Sequence, residues 1–398
     1  MNIQTQLRRL NLFGFSACLR VTDAVWVVFL IARGFSLWQV GLAEGIFHAV
    51  SLLCEIPSGM AADLMGRRRS LATAGLCGMI AALLMVFSRS FVGVCLSMVF
   101  SALSCSFISG SDEALLYDSL VQVNKTDDYI PKCARYTQMQ NLGTLCSNLA
   151  SALAAVCGYV GFYLLDSVVC AMRVLTALSL TEPTVTKQQA ERQQNPFADL
   201  KERFHDHVSI ALHFLRNHPQ AAKLMLADGF LTLPSYLTLM FLQQRLSEQG
   251  VPTMWLGLPV MCIALGRMAG VAIGKQLHPK RLAHLYVLCA IIIGTGTIIA
   301  GSAPTAIAVL GVSTASAAID VWVLHLQNHL NGLYPSDQRA TLVSVNMMAY
   351  SVLMILASPL VGQIGDLVGT AGAGLCVLGG LIALSAAIPF IAKNKIAQ

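Results

Sequence analysis

Charge is what this chain has least of. Asp, Glu, Lys and Arg make up 12% of its 398 residues, where soluble domains carry about 25%. With 56% hydrophobic residues there is too little polar side chain to cover a water-exposed surface, and a soluble domain is excluded. Paired cysteine motifs are also missing. The 12 cysteines are scattered through apolar stretches without a CxxC pair, so they read as small buried hydrophobes and not as a disulfide framework or metal site. Enzyme signatures are missing too: there is no HExxH and no GxSxG, and His325 and His329, one helical turn apart, have no acid at a helix-compatible position beside them. "GVAIGKQ" (270–276) has the wrong glycine spacing for a phosphate loop and Gln276 where Ser or Thr belongs. An ATP-driven pump and an enzyme are therefore not expected, and neither is a cofactor or a metal. The alternation of a membrane barrel is absent as well.

What the chain does have is long apolar runs. A spanning helix needs roughly 20 apolar residues, and runs between Gly, Pro and charged breaks give twelve: 10–32, 39–62, 70–88, 91–120, 134–157, 159–180, 219–243, 253–275, 282–301, 304–330, 338–366 and 370–392. The N-terminus imitates a signal peptide, with "FSAC" ending at Cys18, but the run continues to Ile31 and predicts an uncleaved first span. The fold class is an all-α polytopic membrane protein.

Orientation follows from basic residues. With the N-terminus inside, 20 of the 26 Lys and Arg fall on inner segments. Arg33, Arg89 and Arg245 lie outside, and Arg20, Arg173 and Arg267 within spans. The bias puts both termini in the cytoplasm and the protein in the cell membrane. The long segment 181–218 divides the chain into a first six-helix bundle (1–180), a cytoplasmic linker (181–218) and a second bundle (219–398). Within the linker, Asn195 caps and Pro196 opens an amphipathic helix. Its apolar stripe runs from Phe197 through Leu200, Phe204, Val208 and Leu212 to Leu215. The histidines there, His205, His207 and His213, read as a solvated face. The halves read as repeats: "GMAADLMGRR" begins at Gly59 after the second span and "GKQLHPKR" at Gly274 after the eighth.

The densest basic stretch, "SGMAADLMGRRRSL" (58–71), joins spans two and three. Gly59 permits close approach of helices, Asp63 can face the positive end of a neighbouring helix, and Gly66 allows a tight turn. Arg67 and Arg68 anchor the loop in the cytoplasm and can pair with acids. A plain topogenic loop is the alternative, and Arg68 and Arg69 can be read as no more than that. The pattern Gly59-x-x-x-Asp63-x-x-Gly66-Arg67-Arg68 resembles the signature loop of the major facilitator superfamily. The flanking "EIPSGMAADLMGRRRS" and "SGSDEALLYDSL" (109–120) look like its bacterial drug-efflux branch. That resemblance implies twelve spans in two bundles related by a pseudo-two-fold axis. It further implies a latch formed by Gly59, Asp63, Gly66, Arg67, Arg68 and Asp118, with span two packed on span eleven and Asp63, Arg67 and Asp118 as a charge relay. Spans one, four, seven and ten would line the cavity.

A charge at bilayer depth costs at least ~2.5 kcal/mol, so each one needs a reason. Asp23 lies about 13 residues into span one, or ~20 Å at 1.5 Å per residue. Arg20 lies one turn away on the same face. A static pair and a proton or substrate site both fit them. Asp112 and Glu113 in span four point about 100° apart; one is expected to pack in the bundle, and Glu113 to face the cavity. Glu44, His48, Ser51 and Glu55 share one face of span two; that face lines the pathway, or Glu55 simply fixes the turn before Pro57. Asp228 and Asp320 complete the candidate set. Asp166 and Arg173 in span six depart from the division between lining and support.

Two features of proton-coupled drug antiporters are missing: an intramembrane arginine in span four after Arg89, and a Gly-Pro pair in span five. The leading reading is a secondary transporter exporting small amphipathic molecules against protons; the alternative is proton-coupled uptake of a small metabolite. Its partners are then a small-molecule substrate, protons and the lipid bilayer, with no nucleic acid, and it acts as a monomer. If the signature loop is a latch, Asp63→Asn abolishes transport with expression unchanged. Wild-type flux in that variant, measured in whole cells, would reduce the loop to a topology signal.

Overall fold

The structure is a computed structural model that describes residues 2–150, 153–183, 209, 213, 215–279, 281–333 and 339–387. Among the described residues every regular element is helical. That is what hydrocarbon demands, because each backbone N–H and C=O must find its partner within the segment. Ten helical stretches are long and apolar enough to cross a membrane, and they fall on ten of the twelve expected positions. The other two positions are helical as well. Span five, Tyr129–Ala150, carries Gln138, Gln140, Asn141 and Asn148, which lower its hydropathy. Span twelve, Ala371–Ser385, has 15 residues within the described part. The linker helix expected over 195–215 lies almost wholly outside the described residues.

Spans one, four and seven are broken, and the start of span six is kinked at Gly158. Span one consists of Ile3–Cys18, a 3-10 turn Val21–Ala24, and Trp26–Ala32. Span four divides at Gly110, whose φ of 71° only glycine adopts without strain, into Phe91–Ile108 and Ser111–Val121. Span seven divides at Leu233 into Pro219–Thr232 and Pro234–Glu248, where Pro234 has no N–H to give. By contrast span three (Arg67–Phe87), span nine (Leu282–Ser302) and span ten (Thr305–Leu333) run without interruption. Span two (Leu37–Met65) and span eleven (Arg339–Val368) each pass through a proline, Pro57 and Pro359.

The chain forms two compact units: Met1–Ala24 with Ile46–Asp206, and Val25–Gly45 with His207–Gln398. Residues 25–45, the end of span one and the start of span two, thus group with the second unit. In the first unit span three packs on spans four and six, and span one on span five. Its core gathers Leu10, Phe13, Leu71, Leu115, Leu120 and Tyr136. In the second unit span nine packs on spans ten and twelve, and span seven on span eleven. The pairing in one unit repeats that in the other, with six added to each number. Large apolar side chains such as Phe87, Leu175, Leu265 and Leu384 lie exposed, as suits a surface bathed in lipid.

Between apolar helices in lipid, close packing replaces the hydrophobic effect as the main attraction. Spans eight (Gly257–Gln276) and ten show it: a Cβ on Gly266 would come within 2.3 Å of the Ser313 carbonyl oxygen, and one on Gly270 within 2.2 Å of that of Ala317. Gly270→Val should lower stability by about 1–3 kcal/mol through overpacking, seen as a lower melting temperature in detergent. Gly380→Ala, where a Cβ meets nothing within 4 Å, serves as the silent control. Equal melting of the two variants would remove glycine contact from the account of packing.

Candidate functional site

The signature loop is compact. Span two ends at Met65, Gly66 takes a φ of 89°, and span three starts at Arg67. The guanidinium of Arg67 donates to Oδ2 of Asp118, closing one side of the expected relay. The side chain of Asp63 lies outside what the structure describes. Glu182 fills a place the sequence reading left empty. Its Oε1 accepts from the Arg67 amide at 2.9 Å and its Oε2 from the Arg68 amide at 2.7 Å, so it caps span three. The guanidinium of Arg68 donates to the carbonyl of Leu178. Arg68 is therefore tied to the end of span six and does more than anchor a loop in the cytoplasm. Among the described residues of its own unit, a Cβ on Gly59 would meet nothing within 4 Å.

Deeper in the same unit, the break in span one exposes backbone groups that side chains of other spans satisfy. Arg173, buried at 3% exposure, donates to the Ser16 carbonyl from Nε at 3.2 Å and from Nη2 at 2.8 Å. Ser147 donates to the Arg20 carbonyl. Arg20 reaches Asp23 at 3.9 Å and also donates to Sγ of Cys105. Asp166 has the Val21 amide, Arg173, Arg20 and Asp23 as its polar surroundings. Arg20, Asp23, Asp166 and Arg173 thus lie within electrostatic reach of one another where span one unwinds. Asp166 and Arg173, which broke the sequence-level division of roles, belong to this set.

In span four, Asp112 and Glu113 open the segment after Gly110. Asp112 is buried; its Oδ2 accepts from the Tyr136 hydroxyl at 2.7 Å and from Nε2 of Gln140 at 3.4 Å, and its Oδ1 from the Glu113 amide at 2.9 Å. Glu113 is exposed. Asp112 is thus the packed member of the pair. Tyr136 and Gln140 are one turn apart on span five, a spacing that could have marked them. Glu55 is half-buried, and its carbonyl accepts from the Ser58 hydroxyl at 3.2 Å. The helix continues past Pro57 to Met65 and makes no turn there.

The second unit holds its own buried acid. Asp228 stands in the turn before the break in span seven, with Oδ1 accepting from Nε1 of Trp322 at 3.1 Å and Oδ2 from Nδ2 of Asn346 at 2.8 Å. Both donors are neutral. Trp322 is fully buried and meets Tyr286 edge to face at 5.4 Å. Asp320 pairs with Arg267, Oδ2 to Nε at 3.1 Å, so its charge is balanced within the bundle. Asn346 escaped the sequence reading, since a lone amide in an apolar run carries no spacing signal. Glu44, at the start of span two, is buried in this unit.

Helices broken beside buried acids and arginines, in a chain of many apolar spans, define a polytopic membrane transporter. The chain belongs to the Major Facilitator Superfamily, whose family profile matches residues 12–358. A curated relative is the uncharacterized MFS-type transporter YxaM of Bacillus subtilis (strain 168), 22% identical over 391 residues that cover 95% of this chain and 93% of that one. Among solved structures, the nucleoside transporter NupG superposes with a TM-score of 0.78 at 15% identity, covering 99% of this chain and 100% of that one. The D-xylose-proton symporter superposes with a TM-score of 0.68 at 12% identity, covering 98% and 96%. At these identities the likeness is one of fold.

Removing the Glu182 cap should cost about 0.5–2 kcal/mol. Glu182→Ala is then expected to melt earlier than wild type, with Glu182→Gln, which keeps one good acceptor oxygen, in between. A melting temperature indifferent to both changes would show that the capping of span three contributes nothing.

Proposed function

We propose that this chain is a proton-coupled secondary transporter that moves a small polar organic solute across the cell membrane by alternating access. It acts as a monomer with both termini in the cytoplasm, residues 1–180 and 219–398 as its two bundles and 181–218 as their linker. The observation that carries this reading is the set of Arg20, Asp23, Asp166 and Arg173 around the unwound part of span one. Charge in such a place is costly, and a carboxylate beside a guanidinium group can exchange its ion pair for a proton. Asp23 is the proton carrier in this reading. Arg20 is the partner that holds it, and Asp228 with Asn346 and Trp322 is the polar contact in the second unit.

Uptake is the direction we favour. Span four has no arginine within it beyond Arg89, and span five has no Gly-Pro pair, so two marks of drug antiporters are missing. The fold likeness extends to a D-xylose-proton symporter and a nucleoside transporter. Efflux of an amphipathic compound is the second reading, favoured by "EIPSGMAADLMGRRRS" and "SGSDEALLYDSL".

Flux in proteoliposomes tests both readings, once a thermal-shift screen has supplied a ligand. One pH unit is worth ~1.4 kcal/mol per proton, enough for about tenfold accumulation. The wild-type protein should reach that with the outside acidic, without ATP. Asp23→Asn should lose the accumulation and retain counterflow exchange. An ATP requirement would refute the transport class, loss of both activities would make Asp23 structural, and accumulation only with the lumen acidic would reverse the direction.

A further inference from the structure

Among the described residues, three carboxylates cap the N-termini of spans. Glu182, after span six, caps span three. Glu248, at the end of span seven, accepts from the Ala371 amide at 3.1 Å and from the Thr370 hydroxyl at 2.7 Å, capping span twelve. Each of these joins two spans of the same sequence half. Asp366 does not. It lies in the last turn of span eleven, and its Oδ1 accepts from the Leu37 amide at 2.9 Å while its Oδ2 accepts from the Trp38 amide at 2.8 Å. Those are the first two amides of span two.

Below that cap the two helices touch backbone to backbone. A Cβ on Gly362 would come within 2.1 Å of the Leu37 carbonyl oxygen, and one on Gly41 within 2.1 Å of that of Ser358. The Ser358 hydroxyl donates to the Gly41 carbonyl at 2.8 Å. Gly45 continues the seam against Ile355, where a Cβ would stand 3.2 Å from the carbonyl oxygen. Residues 37–45 therefore group with the second unit, whereas the rest of span two, from Ile46 on, groups with the first. The seam ends where that grouping changes.

We propose that Asp366 is a releasable latch between the two sequence halves: its carboxylate on the span-two N-terminus, with the Gly41–Gly362 seam beneath it, holds span two to span eleven at the end of span two opposite the signature loop. The inference rests on the alternating-access reading above for its role in the cycle. A helix from one sequence half and a helix from the other must part on whichever side opens. Caps within a half can stay made throughout. A cap across the halves has to break, and a carboxylate is suited to that because water can solvate it and the freed amides when they part. The attraction between carboxylate and helix N-terminus is directional and short-ranged, weakening beyond the first turn. A small displacement is enough to release it. The missing side chains at Gly41 and Gly362 let the helices close without interlocking, so they can separate and meet again.

Two measurements test the latch. Amide hydrogen exchange in the intact protein reads it without any substrate. Asp366→Asn, which keeps the shape and loses the charge, should speed exchange at residues 37–40 by about tenfold, with the amides of span nine unchanged. Glu248→Ala should leave 37–40 alone and speed exchange at 371. Exchange at 37–40 equal to wild type, or accelerated equally by Glu248→Ala, overturns the proposal. A double variant, Trp38→Cys with Asp366→Cys, then locks the contact covalently. Oxidation should stop flux and reduction should restore it. Undiminished flux in the cross-linked protein, with the bond verified by mass spectrometry, also overturns it. If the wild-type protein shows no flux at all, the transport reading fails while the exchange result still decides whether the cap holds span two.

Discussion

The constraint on which the rest of this structure depends is that hydrocarbon leaves no peptide group to water. It makes the chain helical and sets the helix lengths. It also makes every interruption of a helix an obligation, because carbonyls and amides freed at a break must find partners from elsewhere. The break in span one illustrates this. The carbonyl of Ser16 goes to Arg173 and that of Arg20 to Ser147, two side chains from spans six and five. Arg173 belongs both to this structural repair and to the proposed charge cluster. An arginine that closes a backbone gap stands beside the acids whose charge it balances.

Helix ends follow the same rule, and here acids replace arginines. Glu182, Glu248 and Asp366 each accept amides at the start of another span. A helix N-terminus carries about half a positive charge, so a carboxylate there satisfies donors and complements the dipole at once. Because each acid comes from a different span, the cap also fixes which helices neighbour one another. In the first unit this places Glu182 directly against Gly66, where a side chain would crowd its carboxyl group. The signature glycine is required by its positive φ and by the space its partner occupies.

Much of this was legible in residue order. Ten of the twelve expected spans reappear as long apolar helices, because runs of apolar residues of membrane length admit few other structures. The pairing of Arg67 with Asp118 was anticipated from the signature pattern, and the burial of one carboxylate of the Asp112–Glu113 pair from helical geometry. Other features left no local trace. Span five is polar because its face serves Asp112 and the Arg20 carbonyl, and such needs come from distant partners. Glu182 read as part of the linker, although it caps a helix more than a hundred residues earlier. Close approach of backbones is found at Gly41, Gly266, Gly270 and Gly362, none of which the spacing singled out; a glycine's identity does not say what stands opposite it.

Sequence by itself determined the class: low charge, long apolar runs and basic loops between them dictate a polytopic helical membrane protein, since transfer free energy depends on composition and run length. The signature loop set the family in the same local way. What tertiary structure alone decided is which charge answers which. Whether Arg173 closes the gap at Ser16 and whether Asp366 holds the start of span two depend on helices separated by up to 329 residues being brought side by side. Pairing energies in lipid are fixed by that proximity and not by anything written within a single span.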